Sequence, residues 1–357
     1  VVNAHLNQRV KPLGFFYAPD PSSQSACTIG GNLAENAGGI HCLKYGVTVD
    51  SVLALQVVTT QGELLWLGDK TGFMPQCNFI GLLVGSEGTL GIVTQAVLRL
   101  NVLPESKLVM MACFATSRQA TNSIAEIVSA GLTPAALEFM DAFTAQSVNK
   151  IMNLGLPDNT GAILLAEIDG TEMQVTSDQH DLAKIFQKNN AIRIDLADTE
   201  TERERLWKAR KSAAASYGHY MPSFYVHDCV VPRLHLREVL EKIEAISKEY
   251  DVMIGNVFHA GDGNLHPNIL FNPKDKALTE RCMKAGDAII KVCLDAGGVL
   301  TGEHGVGIEK QHFMTQQFTE ETLDAMGYIK QAFDPTGLAN PRKILPHRSG
   351  CAETRNG

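Results

Sequence analysis

Apolar and polar positions change rhythm several times along this chain. SVLALQVVTTQGELLWL, 51 to 67, alternates over two short stretches and breaks at Gln61-Gly62. That pattern predicts two strands joined by a turn. GTLGIVTQAVLRL, 88 to 100, predicts a third strand entered through glycines. Near Leu103-Pro104-Glu105 the pattern shifts. VMMACFAT, AALEFMD and AILLAEIDG read as strands, and SRQATNSIAEIVSAGL as a helix. Further helices are expected over about 141 to 152 and 172 to 189 by their apolar spacing. TETERERLWKARKSAAA and HLREVLEKIEAISKEY are amphipathic and helical by the same test. Helices and strands alternating in this way predict a mixed or antiparallel sheet with helices on one face, an α+β cap.

The stretch HAGDGNLHP, 259 to 267, adds chemistry to that pattern. Asp262-Gly263 lies between the apolar runs VMIGNVF and LHPNILF, which signals a two-residue hairpin turn. With 262 and 263 as the turn, His259 faces His266, and opposed Cβ atoms lie about 4.5–5.5 Å apart. Two imidazoles so placed can share a metal ion or an anionic substrate, or be ordinary strand histidines. A second cluster reads Thr301-Gly302-Glu303-His304-Gly305-Val306-Gly307, and the GGVL before it looks like the end of a strand. His259, His266 and Glu303 make a common ligand set for a catalytic divalent cation such as Zn, Mn or Fe. His304 is a candidate base or a further ligand.

Two glycine-rich segments, TIGGNLAENAGG (28 to 39) and GSEGTLG (85 to 91), read as loops offering backbone N–H groups to an anion or to the polar edge of a flat ring. By pattern alone they read more readily as plain turns, because glycine-rich turns are common. Arg210 lies in LWKARKS among other charges, which by pattern alone is a solvated helix face.

Composition narrows the class. The chain has 357 residues, enough for two domains with cores of their own. Acidic residues outnumber basic ones, 39 to 31, for a formal net charge of −8, which argues against a nucleic-acid partner. There is no apolar run long enough for a membrane span and no signal-peptide pattern at the start. The eight cysteines form no C-x-x-C pair, so any iron–sulfur relay is expected on another subunit. Scattered free cysteines fit a reducing, cytoplasmic compartment.

FHAGDGNLHP, GGVLTGEHGVGIEK and AFDPTGLANPRK resemble the C-terminal signatures of the FAD-linked 2-hydroxy-acid dehydrogenases. That family includes the D subunit of bacterial glycolate oxidase, D-lactate dehydrogenases and D-2-hydroxyglutarate dehydrogenase. YAPDPSSQSACTIGGNLAENAGGIHCLKYG and GLLVGSEGTLGIVTQAVLRL resemble the second half of its flavin-binding domain, of the vanillyl-alcohol-oxidase type. HCLKYG and DCVVP look most like the glycolate oxidase subunit. The resemblance implies a partial FAD-binding domain over 1 to 103. A substrate-binding cap carrying the metal site would cover 104 to 333, and 334 to 357 would return to the flavin domain. It implies that Gly30, Gly31, Asn36, Glu87, Gly88, Gly91, Ile92, Val93 and Asn340 line FAD. It also implies that Arg210 grips a substrate carboxylate through paired N–H bonds. His41 is expected to be a plain surface or lining histidine, not a covalent flavin attachment.

Val226 stands where some relatives carry a lysine, which favours a small acid such as glycolate or D-lactate. The expected chemistry is oxidation to the 2-oxo acid. His304 takes the hydroxyl proton, a hydride leaves Cα for the flavin, and a metal on His259, His266 and Glu303 acidifies the hydroxyl. Electrons would pass to an iron–sulfur partner or a quinone, with peripheral association at the inner face of a membrane. Family members open with a Pro- and Gly-rich phosphate loop, and nothing like it precedes Tyr17. The alternative expectation is therefore a truncated, non-catalytic fragment or subunit that does not hold FAD by itself. A metal-dependent hydrolase fits the His/Glu set alone but leaves the flavin-like segments without a role.

Overall fold

The computed structural model describes residues 1 to 69, 71 and 77 to 346. Two sheets organise them. The smaller has three strands in the order Leu64–Gly68, Val52–Val58, Ile92–Leu98, all antiparallel. The turn at Gln61-Gly62 falls where the sequence places it. Tyr17, Leu33, Leu55, Ile80 and Leu83 form the core beneath this sheet.

The larger sheet has nine strands. Seven run in the order Ser223–Val226, Pro267–Phe271, Met253–His259, Ala136–Asp141, Ala162–Gly170, Ser106–Phe114, Ala191–Ala197. Two short strands, Cys229–Val230 and Asn264–Leu265, attach beside Met253–His259. Every pairing is antiparallel. The strands expected at VMMACFAT, AALEFMD and AILLAEIDG are all present.

Helices cover both faces of this sheet, not one. Along Ser106–Phe114, Met110, Ala112 and Phe114 point into a core with helices Ser117–Ser129, Glu172–Lys188, Leu236–Glu249 and Lys276–Asp295. Val109, Met111 and Cys113 point the other way, onto Ala142–Met152 and Glu200–Lys211. The strand is a nearly unbroken apolar run, and period-two geometry sends half of it to each face. An uninterrupted run, not an alternating one, was the sign that both faces are buried.

Helix ends follow their sequence signals. Thr116 with Gln119 and Thr199 with Glu202 form capping boxes. In Glu200–Lys211 the acids Glu200 and Glu202 sit in the first turn and Lys208, Arg210 and Lys211 in the last. Both placements complement the helix dipole. Among the described residues, no helix is long and apolar enough to cross a membrane. The seven cysteines described are all free, and Cys351 lies outside the described residues.

Candidate active site

The hairpin forms with a different register from the expected one. His259 pairs with Asn264, and Asn256 with Pro267, so the turn is the four residues 260 to 263. Gly263 alone of the Asp-Gly pair takes positive φ, +84°, and a Cβ there would lie 2.2 Å from the Val231 carbonyl oxygen. A type I′ turn needs two positive φ values, and Asp262 instead accepts a hydrogen bond from Asn264 N at 3.0 Å. The slip is two residues, an even number, so His266 stays on the face of His259. Their ring centroids are 5.1 Å apart and perpendicular.

Glu303 joins them. Its Oε1 is 3.6 Å from His259 Nε2 and 3.4 Å from His266 Nε2. The donor atoms of all three lie within 4.8 Å of one another. Its other oxygen accepts from Gly38 N at 3.0 Å, a close approach that a Cβ on residue 38 would obstruct, since it would sit 2.7 Å from Cys42 Sγ. His304 stacks on His266 with centroids 5.2 Å apart. GGVL is not a strand. Val299 makes a single bridge to Val230, and the chain then turns into the glycine-rich loop.

Two carboxylates that the sequence reading did not single out organise this cluster. Glu138 lies directly opposite His259 on the neighbouring strand. Its Oε1 is 2.7 Å from His259 Nδ1, and its Oε2 accepts from Arg210 Nε at 2.7 Å and pairs with Nη2 at 2.6 Å. Asp228 Oδ2 accepts four bonds from the second loop. They come from Thr301 Oγ1 at 2.6 Å, Gly302 N at 2.9 Å, Glu303 N at 3.1 Å and His304 N at 2.9 Å. An acid inside an apolar strand, as in ALEFMD, is the available signal for Glu138, since a buried charge needs partners.

The charges balance locally. Burial opposes a carboxylate at Glu138, but His259 and Arg210 reverse the effect and hold its pKa below the usual value. Burial likewise opposes charge on His259, and Glu138 and Glu303 overcome it, raising its pKa well above 6.5. Glu303 is held well below the carboxylate range because His259 and His266 outweigh its burial. His304 falls below the ordinary histidine value through desolvation, with Asp228 opposing, so it is neutral and able to accept a proton near pH 7.

Arg210 is buried, at 9% exposure, and not on a solvated face. Glu138 already holds it, which fixes the guanidinium beside the cluster. His41 is held between Asp20 Oδ2 at 2.9 Å and Glu167 Oε1 at 3.3 Å.

The glycine-rich segment 28 to 39 is mostly a helix, Ile29–Glu35, and not a loop. Thr28 caps it by accepting from Gly31 N at 3.1 Å, and buried Ile29, Asn32 and Leu33 dock it on the core. Gly30 and Gly31 lie in its first turn. Asn36 ends it at φ +53° and accepts from Val49 N at 2.9 Å. Glu87 turns its carboxylate to Val306 N (2.6 Å) and Gly307 N (2.8 Å), while its own carbonyl accepts from Asn340 Nδ2 at 2.6 Å. The segment predicted to line FAD therefore also holds the His304 loop. A Cβ on Gly88 would meet nothing within 4 Å, and one on Gly30 only the Thr28 hydroxyl at 3.9 Å. Gly91 and Val93 sit at the start of the third strand, where Ile92 is 67% exposed. Open glycines and a bare apolar side chain fit the flank of a large flat ligand.

Comparison with known proteins is consistent with both halves. The family described as FAD linked oxidases, C-terminal domain, matches residues 103 to 344. A second, described as FAD binding domain, matches residues 1 to 68. The chain belongs to the FAD linked oxidases. FAD is its cofactor, and the chain is an oxidoreductase of the family that the sequence motifs suggest. It is 41% identical to the glycolate oxidase subunit GlcD of Escherichia coli (strain K12), over 99% of this chain and 71% of that protein. It is 30% identical to a D-lactate dehydrogenase of Archaeoglobus fulgidus, over 93% of this chain and 72% of that protein. The structure superposes on alkyldihydroxyacetonephosphate synthase with a TM-score of 0.70 at 19% identity. That match covers 96% of this chain but only 63% of the synthase. It shows a shared α+β fold.

Proposed function

We propose that this FAD-linked oxidoreductase oxidises a small 2-hydroxy acid, glycolate or D-lactate, to the 2-oxo acid. The observation that carries the reading is the convergence of His259, His266 and Glu303, with His304 stacked on His266. FAD, when bound, supplies the two-electron acceptor, and a divalent cation on the three ligands supplies a Lewis acid for the substrate oxygens. The chain's own residues do the rest. His304 accepts the proton of the 2-hydroxyl at a ring nitrogen. Arg210, held on one side by Glu138, offers the rest of its guanidinium to the substrate carboxylate. The Val226 side chain is apolar and leaves a second carboxylate without a partner, which favours a short acid.

Gly30, Gly31, Asn36, Glu87, Gly88, Gly91, Ile92, Val93 and Asn340 are proposed to border the flavin. The proposed domains are 1 to 103 for the partial FAD-binding domain, 104 to 333 for the cap and 334 to 357 for the returning segment, of which 70, 72 to 76 and 347 to 357 lie outside the described residues. The electron acceptor is proposed to be an iron–sulfur partner subunit or a quinone, met at the cytoplasmic face of a membrane. The relative named as a glycolate oxidase subunit supports the presence of other subunits.

The test is anaerobic. The purified chain is supplied with FAD and a divalent cation, and the visible spectrum is followed on adding glycolate or D-lactate. Bleaching of the flavin bands by one acid identifies the substrate. FAD that binds but is bleached by neither acid overturns the substrate class.

A further inference from the structure

A neutral imidazole binds a cation through the nitrogen that carries no proton, so its tautomer decides whether it is a ligand. In the cluster both histidines turn Nε2 toward Glu303. For His259 the Glu138 carboxylate, 2.7 Å from Nδ1, fixes the proton on the far nitrogen. His266 has no such contact. Its Nδ1 is buried and has no hydrogen-bond partner among the described residues. The same is true of Asp228 Oδ1. These two orphaned atoms face each other across 3.8 Å.

We propose that Asp228 is a positioning residue for the cation site: it holds His266 in the Nδ1–H tautomer and, with its other oxygen, sets the loop that presents Glu303 and His304. The proposal rests on the metal reading above. Four donors from residues 301 to 304 converge on Oδ2, which locks the carboxylate's rotamer and leaves Oδ1 aimed at His266. Lys310 steadies the carboxylate from behind. Its Nζ donates to the Asp228 carbonyl at 3.1 Å and lies 3.8 Å from Oδ2. A proton on Nδ1 is attracted to Oδ1, whereas a lone pair there would be repelled. Both atoms are buried, and at the low effective dielectric of the interior that difference selects one tautomer without direct contact. One carboxylate thus ties a ligand on the hairpin to a ligand on the loop. Groups behind metal-bound histidines that act this way commonly change metal affinity about 10- to 100-fold.

The first measurement needs no variant. Long-range proton–nitrogen correlation on the histidine-labelled chain, at a pH where His266 is neutral, should show its proton on Nδ1. A proton on Nε2 overturns the proposal. The second compares Mn2+ and Zn2+ binding by calorimetry in the wild type and in Asp228→Asn. The amide oxygen can keep the loop's donors, but its NH2 group would face Nδ1 and drive the proton to Nε2. The expected result is a near-unchanged fold by near-UV circular dichroism with cation affinity lower by about 10- to 100-fold. Equal affinity in the two proteins overturns the role of Asp228 while leaving the metal site standing. A wild-type chain that binds neither cation overturns the metal reading itself. If the variant does not fold, the tautomer measurement on the unaltered chain decides.

Discussion

In the nine-stranded sheet, Glu138 and His259 sit on strands packed on both faces, with His266 beside them, and each charge has an opposite charge against it. In the three-stranded sheet the outer strands leave Leu64 at 63%, Trp66 at 53% and Ile92 at 67% exposure. The first region builds its site from its own side chains. The second holds apolar surface and open glycines outward, where a large ligand would cover them. Proton and cation chemistry requires positions fixed to a fraction of an ångström, which a closed scaffold supplies. A bulky cofactor can itself complete the surface that receives it.

The largest expected effect separates the two regions by chemistry. His304→Ala should slow flavin reduction by substrate about 10²- to 10⁴-fold, the usual worth of a general base. FAD affinity, measured by fluorescence quenching, should stay within a factor of a few. An equal loss of FAD binding would break the comparison, because the base loop would then belong to the cofactor site.

Stability separates them next. Phe258 stacks on Phe139 with centroids 4.7 Å apart, and both are fully buried. Phe258→Ala should cost about 3–5 kcal/mol. The two tryptophans report the regions separately, Trp66 on the small sheet and Trp207 on the helix bearing Arg210. In single-tryptophan variants Phe258→Ala should shift the Trp207 transition in denaturant more than the Trp66 one. Added FAD should do the reverse. Coincident shifts in every case would mean one cooperative unit.

The joint between the regions gives a smaller, pH-dependent effect. His41 sits between Asp20 and Glu167, and Trp207 Nε1 also donates to Glu167 at 2.8 Å. Burial opposes charge on His41, yet the two carboxylates raise its pKa from 6.5 to about 10. A raised value means the stabilisation is complete below pH 6.5 and is lost as pH rises through about 10. Glu167 moves the other way despite its burial, to about 2, mainly through His41. Its share is present above pH 4.5 and is lost as pH falls through about 2. His41→Gln should therefore cost about 1.5–3 kcal/mol at pH 6, and the deficit should shrink toward pH 10. Denaturant midpoints across that range would show it. A constant deficit would assign His41 a packing role only.

Ile92→Ser should matter least to the fold, within about 0.5 kcal/mol, as expected at an exposed site. If the open flank receives FAD, the same change should weaken FAD binding measurably. Unchanged binding would place the cofactor elsewhere.

The convergence of His259, His266 and Glu303 was legible in the sequence because two short motifs carried it. The strands and helices around it were legible from apolar spacing. What escaped had local causes. The hairpin register turned on Asp262 using its side chain to bond Asn264, which Asp-Gly counting does not foresee. The segment 28 to 39 read as loop because of its glycines, while Thr28 and the buried Ile29 and Leu33 specified a helix. Glu138 and Asp228 were missed as organisers because their roles depend on strand pairing and loop return. Those bring residues more than seventy positions apart into contact: Arg210 with Glu138, and Thr301 with Asp228.

The four-residue turn at 260 to 263 carries a lesson about parity. A strand's side chains alternate between faces, so lengthening this turn by two residues returns the following strand to the same side. Lengthening it by one turns His266 away from its partners, along with each apolar residue that follows it. Deletions and insertions here should thus be tolerated in pairs and rejected singly. In related chains the length of this turn should vary, if at all, by even steps.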